Sequence, residues 1–207
     1  MLGDLSRKYE SNGDPGCISS GLGDAGGKSY GMYQMSSCYG VVSDYVQWLY
    51  NNSYWFAENL AEHPVGSLAF DEAWRWLADS ANREDFAKSQ HDYIRDKYYK
   101  PAISALKNAM YDVEGKHNKV MQDVVLSRAV QYGVGNIVEM FTAACDKLGY
   151  PNLSYVDDRA YDKAMIKAIY FDVCSTAEWT DGSPELRQGL YSRFNAECMD
   201  ALARLEA

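Results

Sequence analysis

The sequence lacks a long apolar run, a leader-like N-terminus and any excess of basic residues. No stretch approaches the roughly 18–20 apolar residues of a membrane span, and the longest candidate, residues 164–173, is interrupted by Lys167 and Asp172. The first eight residues contain no apolar core of a secretory signal. We therefore expect a protein that is made in the cytoplasm without a Sec signal and that has no membrane partner.

Charge and cysteine usage argue against two further classes. The net charge is −9 and the pI is near 4.8, whereas phosphate binding depends on clustered Lys and Arg, so no nucleic-acid partner is predicted. The five cysteines form no CxxC pair, and the three histidines follow no metal-ligand spacing. We predict no metal site and no cofactor. The cysteines are expected to be free and mostly buried, with a Cys17–Cys38 bridge as the alternative.

The chain has 207 residues, of which 47% are hydrophobic, enough for a sizeable core. Apolar residues recur at helical spacing after residue 40, and the only strand-like pieces come before it. The pattern predicts a mainly α fold (α+β) with a small N-terminal β-hairpin. The predicted helices are Leu2–Tyr9, Val41–Tyr50, Phe70–Asp79, Arg83–Tyr99, one from Pro101, Lys116–Tyr132, Asn136–Leu148, Asp158–Cys174 and Pro184–Ala207.

The glycine-rich segment near the N-terminus is the most informative part of the chain. Seven of the sixteen glycines fall between residues 13 and 31, a density that favours tight turns and close backbone approach to a ligand. Glu10 comes directly before this segment, and Asp14 and Asp24 lie within it. A glycosidase uses one carboxyl to protonate the leaving oxygen and a second to serve water. We therefore predict Glu10 as a general acid.

Asp24 is the better candidate for the second carboxylate. It follows Glu10 by fourteen residues, within Gly23-Asp24-Ala25-Gly26-Gly27, where a hairpin could fold it back toward the acid. The alternative is an Asx-turn that holds the loop. Asp14, in Asn12-Gly13-Asp14-Pro15-Gly16, is predicted to be a turn residue.

Polar and aromatic residues at the end of the loop fit contacts to sugars. Aromatic faces stack on pyranose rings, and an amide side chain can form a hydrogen bond with an acetamido group. For Tyr30 and Tyr33, packing in the core is the alternative interpretation. Gln131, on the helix predicted over Lys116–Tyr132, is a candidate for the opposite wall of a cleft, although a packed core helix explains it equally well. The predicted substrate-binding residues are Ser29, Tyr30, Tyr33, Gln34 and Gln131.

Two stretches carry a resemblance to a known family. Tyr9-Glu10-Ser11-Asn12-Gly13 followed by Gly23-Asp24-x-Gly26-Gly27-x-Ser29-Tyr30-Gly31-x-Tyr33-Gln34 resembles the lysozyme superfamily, and within it a chitosanase-like muramidase group. Such domains are found in phage endolysins, tail lysins and type VI secretion spike effectors. The motif covers about residues 7–37. Late in the chain, Gly189-Leu-Tyr-Ser-Arg193 with Glu197 resembles a helix of phage lysozymes.

The resemblance implies one catalytic domain over residues 1–207, with a bilobal lysozyme-like fold and an active-site cleft around residues 9–37. It implies a bacteriolytic muramidase that cleaves the β-1,4 bond between N-acetylmuramic acid and N-acetylglucosamine in peptidoglycan glycan strands, with Glu10 as acid and Asp24 as base. A chitosanase, a lytic transglycosylase and a non-catalytic glycan-binding module are the alternatives. As part of a larger phage or secretion protein, the enzyme would reach the cell wall through a holin, a phage tail or a secretion machine.

Overall fold

The computed structural model describes residues 2–21, 26–79, 81–180 and 182–206. Over these residues the chain is mainly helical, with one small antiparallel hairpin, which confirms the predicted class. None of the helices in these ranges is long and apolar enough to cross a membrane. The elements are α1 Asp4–Ser11, β1 Ser29–Tyr30, β2 Met35–Ser36, α2 Val41–Asn51, α3 Ala57–Ala61, α4 Leu68–Asp79, α5 Arg83–Ile94, α6 Lys100–Asn108, α7 Val113–Lys116, α8 Lys119–Tyr132, α9 Ile137–Lys147, α10 Asp162–Lys167 and α11 Pro184–Glu206.

The chain divides into two compact units. The hairpin unit comprises Glu10–Arg95, and the terminal unit comprises Met1–Tyr9 together with Asp96–Ala207. A lysozyme-like bilobal arrangement around a cleft, and a single catalytic domain over the whole chain, stay predictions.

The hairpin unit is built around Trp74 of α4. Its indole is completely buried, and the rings of Phe86, Tyr30 and Tyr45 approach it edge-on at centroid distances of 4.8, 5.2 and 5.8 Å. Such edge-to-face pairs add to the stabilisation from burial. The indole N–H donates to the Pro15 carbonyl at 2.9 Å, so the core of this unit also holds the glycine-rich segment.

The short hairpin is held by side chains as well as by its own ladder. Tyr30 pairs with Met35 across the two strands and with Ile18 through an isolated bridge. The Tyr30 hydroxyl donates to buried Asp71 of α4 at 2.5 Å, and the Lys28 ammonium donates to the same carboxylate at 2.6 Å. Two residues per strand would be marginal alone, so these contacts to α4 fix the hairpin.

The terminal unit is centred on α8, which is buried over most of its length and carries both apolar and polar side chains. Arg128 and Glu197, both with no exposed side-chain surface, form an ion pair with a 2.7 Å separation between Nη2 and Oε2. The hydroxyls of Ser127 and Tyr170 also donate to Glu197, the latter at 2.8 Å. Burial alone would lower the pKa of Arg128, but the carboxylate beside it holds that pKa above its usual value. The pair is therefore charged inside the core, where Glu197 accepts from three side chains and Nε of Arg128 has no hydrogen-bond partner among the described residues.

The N-terminal residues belong to this unit because acidic side chains hold them. The Gly3 N–H donates to the buried carboxylate of Asp123 at 2.5 Å. Asp200 of α11 accepts from the Lys8 ammonium and from the Tyr9 hydroxyl, the latter at 2.5 Å. Residues more than 100 positions apart in sequence are thus joined at the start of the chain.

Several predicted helices differ from the helices of the structure. The helix predicted over Lys116–Tyr132 begins later, at Lys119 as α8, because His117 is extended, with φ −112° and ψ 164°. Its imidazole lies between Asp162 at 2.6 Å and Asp157 at 3.3 Å. Two further predicted helices pass into π-helical turns, at Arg95–Tyr99 and Ala168–Val173. Periodicity identifies the helical segments but does not distinguish these changes in winding.

Candidate active site

Glu10 lies at the end of α1 and is half-buried. The helix ends at Ser11 because the next two residues, Asn12 and Gly13, adopt positive φ values of 55° and 76°, the left-handed conformation that terminates helices. The Ser11 hydroxyl donates to the Met32 carbonyl at 3.0 Å. The end of α1 that carries Glu10 is therefore joined to the turn of the hairpin, within the hairpin unit.

The hairpin turn is held by Gln90 of α5, a residue that the sequence patterns did not single out. The Gln90 amide is fully buried; its oxygen accepts from the Met32 N–H at 2.9 Å and its nitrogen donates to the Pro15 carbonyl at 3.0 Å. Gly31 makes this contact possible, since a Cβ there would lie 2.3 Å from the Gln90 oxygen. The available signal was the helical spacing of Gln90 with Phe86 and Tyr93, which places a polar residue on a buried face.

Gln34, a predicted sugar-contact residue, lies at the hairpin turn and is partly exposed. Its φ of 49° is unusual for a residue other than glycine, and its amide nitrogen donates to the Gly31 carbonyl at 3.1 Å and to the Cys17 sulfur at 3.4 Å. Cys17 and Cys38 are both free thiols. The amide oxygen of Gln34 has no partner among the hydrogen bonds of the described residues.

The structure favours core packing for the two tyrosines. Tyr30 has no exposed surface, and burial together with its hydrogen bond to Asp71 raises the pKa of its hydroxyl above the usual value. Tyr33 is 2% exposed, and its hydroxyl lies 2.7 Å from Nδ1 of His91. A buried ring presents no face to a pyranose, so the alternative interpretation of these residues fits better than sugar stacking.

Ser29 is partly exposed and belongs to β1, where its N–H donates to the Ser19 hydroxyl at 2.8 Å. Asp24, the predicted base, lies outside the described residues. The backbone on either side of its segment is in close contact: a Cβ on Gly21 would come within 2.7 Å of the Gly27 carbonyl carbon. The Gly26 carbonyl accepts from the Cys38 N–H at 3.0 Å.

Asp14 is a turn residue, as predicted. Its carboxylate accepts from the Gly16 N–H at 3.1 Å, the pattern of an Asx-turn. It also forms an exposed ion pair with Arg83 at 3.1 Å.

Gln131 is partly exposed on α8 and belongs to the terminal unit, whereas the other predicted site residues described here belong to the hairpin unit. Its helix carries Arg128, which forms the buried ion pair with Glu197, the glutamate of the late motif that the sequence singled out. Within the described ranges, no group of three or more His, Cys, Asp or Glu side chains is placed to hold a metal ion.

Comparison with known proteins gives the family. Residues 2–198 match the family described as the type VI secretion system spike protein VgrG3-like, C-terminal. The chain belongs to this family. A curated relative, the type VI secretion system spike protein VgrG3 of Vibrio cholerae serotype O1, is 39% identical over 134 residues. The aligned region covers 64% of this chain and 12% of that relative, so the chain corresponds to a small part of its length.

The VgrG3-like family corrects two predictions. It is a different family from the chitosanase-like muramidase group of the lysozyme superfamily, so the assignment to that group is wrong. The muramidase assignment taken from that group is therefore overturned too, together with its chitosanase, transglycosylase and glycan-binding alternatives. The comparisons identify the chain instead as the C-terminal domain of a type VI spike protein. A short glycine-rich motif of about thirty residues was a weaker guide than a match over nearly the whole chain. The expected connection to a secretion machine agrees with the VgrG3-like family.

Proposed function

We propose that this VgrG3-like domain is a glycoside hydrolase, with Glu10 as its general acid. The observation that carries the proposal is the placement of Glu10: a half-buried carboxyl at the end of α1, whose neighbour Ser11 is bonded to the hairpin turn at Met32. A half-buried carboxyl at the end of a helix is a group that can protonate a glycosidic oxygen as the bond breaks.

The second carboxyl in this proposal is Asp24. Glu10 would donate its proton to the leaving oxygen, and Asp24 would either take a proton from the attacking water or attack the sugar itself. A separation of about 6.5–9.5 Å between the carboxyls favours the first route and about 5–5.5 Å the second. This chemistry requires neither a metal ion nor an organic cofactor.

The proposed binding partner is a carbohydrate polymer of the cell wall, the glycan strands of peptidoglycan. Gln34 supports this choice, because its half-buried amide has an oxygen left to accept a hydrogen bond from a sugar or an acetamido group. The family supports delivery of the domain by a type VI spike, which would bring it to a neighbouring cell's wall.

The central test is Glu10→Gln, with Glu58→Gln on α3 as the matched control because Glu58 is exposed. The assay is release of new reducing ends from purified peptidoglycan. Loss of a general acid should lower turnover by about 10²–10⁴-fold, while the control keeps normal turnover. Turnover of Glu10→Gln within about threefold of the unchanged protein would remove Glu10 from the mechanism.

Product analysis in oxygen-18 water tests the reaction class. Hydrolysis places one heavy oxygen at each new reducing end, as seen by mass spectrometry. Products without the label would mean that the bond is broken by elimination or that no glycosidic bond is broken. Asp24→Asn should lower the rate at which labelled ends form, whereas Asp14→Asn, a change to the exposed turn residue, should not.

A further inference from the structure

A groove between α3 and α4 forms a second candidate binding surface in the hairpin unit. Its volume is about 370 Å³, within the usual range of small-ligand sites. We call it the Trp76 groove. Its lining residues are Asn59, Glu62, His63, Ala69, Glu72, Ala73 and Trp76.

The floor of the groove is apolar and small. Ala69, Ala73 and Trp76 follow one another at spacings of four and three along α4, so they share one face of the helix. The two alanines leave the indole of Trp76 uncovered, and the residue is 50% exposed. On the opposite face of the same helix, Trp74 is completely buried. Burial in the core therefore explains one tryptophan of α4 and leaves the other without a structural role.

The rim of the groove is formed by polar side chains. Within the described residues, the side chains of Asn59, Glu62, His63 and Glu72 take part in no hydrogen bond or ion pair, and Trp76 contacts no other aromatic ring. Two carboxylates, Glu62 and Glu72, flank the indole, and the lining residues include His63 but no lysine or arginine. An exposed indole beside unpaired carboxylates attracts an organic cation, through the π face and through charge.

We propose that the Trp76 groove binds a de-N-acetylated amino sugar of a glycan strand, a unit whose amino group is free and charged. The ring C–H face would stack on the indole, the ammonium would bond Glu62 and Glu72, and the Asn59 amide would serve a hydroxyl. The choice of a sugar as the carrier of the ammonium rests on the proposed glycoside hydrolase. The groove would add a second point of attachment to the polymer, and two attachments raise the effective affinity for it.

Binding is tested by calorimetry with a glucosamine hexamer, its fully N-acetylated counterpart and an oligolysine. The protein carries Glu10→Gln, so that binding is measured without turnover. The glucosamine hexamer should bind at least tenfold more tightly than the N-acetylated hexamer, and its affinity should fall when ionic strength rises from about 0.05 to about 0.3 M. Equal binding of the two hexamers, or equal binding of oligolysine and the glucosamine hexamer, would overturn the proposal.

Variants locate the binding. Trp76→Ala should weaken hexamer binding about tenfold, Glu72→Gln should weaken it less, and Trp76→Tyr should keep most of the affinity. Trp55→Ala is the matched control, since Trp55 is 55% exposed in the same unit but does not line the groove. Equal effects of Trp76→Ala and Trp55→Ala would refute the site. The two proposals can fail separately. If Glu10→Gln retains turnover but the glucosamine hexamer still binds at Trp76, the catalytic proposal is refuted and the proposed binding site is not.

Discussion

Replacing Gly31 by alanine tests whether the hairpin turn depends on close approach to α5. Gly31 has a φ of 76°, and a Cβ there would lie 2.3 Å from the Gln90 amide oxygen and 3.0 Å from the Trp74 ring. Gly13 has the same φ of 76°, but nothing lies within 4 Å of a Cβ at that position. The two glycines therefore share the backbone strain and differ in the space around them.

The expected loss of stability follows from these contacts. An alanine in the left-handed region costs about 1–2 kcal/mol at either position. At Gly31 the new methyl group also displaces the Gln90 amide, which leaves the buried Met32 N–H without its acceptor, at about 1–3 kcal/mol. We expect Gly31→Ala to lower the free energy of unfolding by about 3–4 kcal/mol and Gly13→Ala by about 1–2 kcal/mol.

Urea unfolding followed by tryptophan fluorescence measures the difference, since four of the five tryptophans belong to the hairpin unit. The double variant Gly31→Ala/Gln90→Ala provides a second check. With the displaced amide removed, the two losses should be less than additive by about 1–2 kcal/mol. Equal losses for Gly31→Ala and Gly13→Ala, or full additivity in the double variant, would refute the close-approach argument.

Two further predictions concern the terminal unit. Glu197→Gln should lower the free energy of unfolding by about 3–5 kcal/mol, because it leaves Arg128 charged and buried without a carboxylate. Urea unfolding followed by circular dichroism measures this loss. A loss below about 1 kcal/mol would mean that the pair is not buried in solution. Burial raises the pKa of Cys198 to about 11 and also raises that of Cys174, so at pH 8 iodoacetamide should label exposed Cys38 in the native protein and these two thiols only after unfolding. Mass spectrometry of the labelled peptides checks the order, and early labelling of Cys198 would contradict it.

Much of the helical structure was predictable because apolar spacing reflects which face of a helix is buried. The first helix, its stop before Gly13 and the turn role of Asp14 all follow from local residue chemistry, and the structure bears them out. Local patterns also selected Tyr30 and Tyr33 as candidate sugar contacts, but spacing does not distinguish a ring that faces a ligand from one that faces the core. Both rings are buried, and their hydroxyls are bonded to distant residues: Tyr30 to Asp71, 41 positions away, and Tyr33 to His91, 58 positions away.

The remaining features depend on long-range contacts that no local pattern contains. Gln90 holds the turn at Met32 from 58 residues away, and a single glutamine on a helix carries no mark of that role. The helix predicted from Lys116 begins only at Lys119, because His117 is extended and its ring lies between Asp157 and Asp162. The family could not be read from the glycine-rich motif, since similar loops with an acid before them occur in more than one family.

The attachment of residues 3, 8 and 9 to Asp123 and Asp200 has a consequence for the order in which the two units fold during synthesis. The hairpin unit is contiguous, so it is complete as soon as Arg95 has left the ribosome. The terminal unit is discontinuous: its first segment must wait for Asp123 to accept from Gly3, and for Asp200 to bind Lys8 and Tyr9. Because contiguous units fold as they emerge, the hairpin unit should finish folding before the terminal unit.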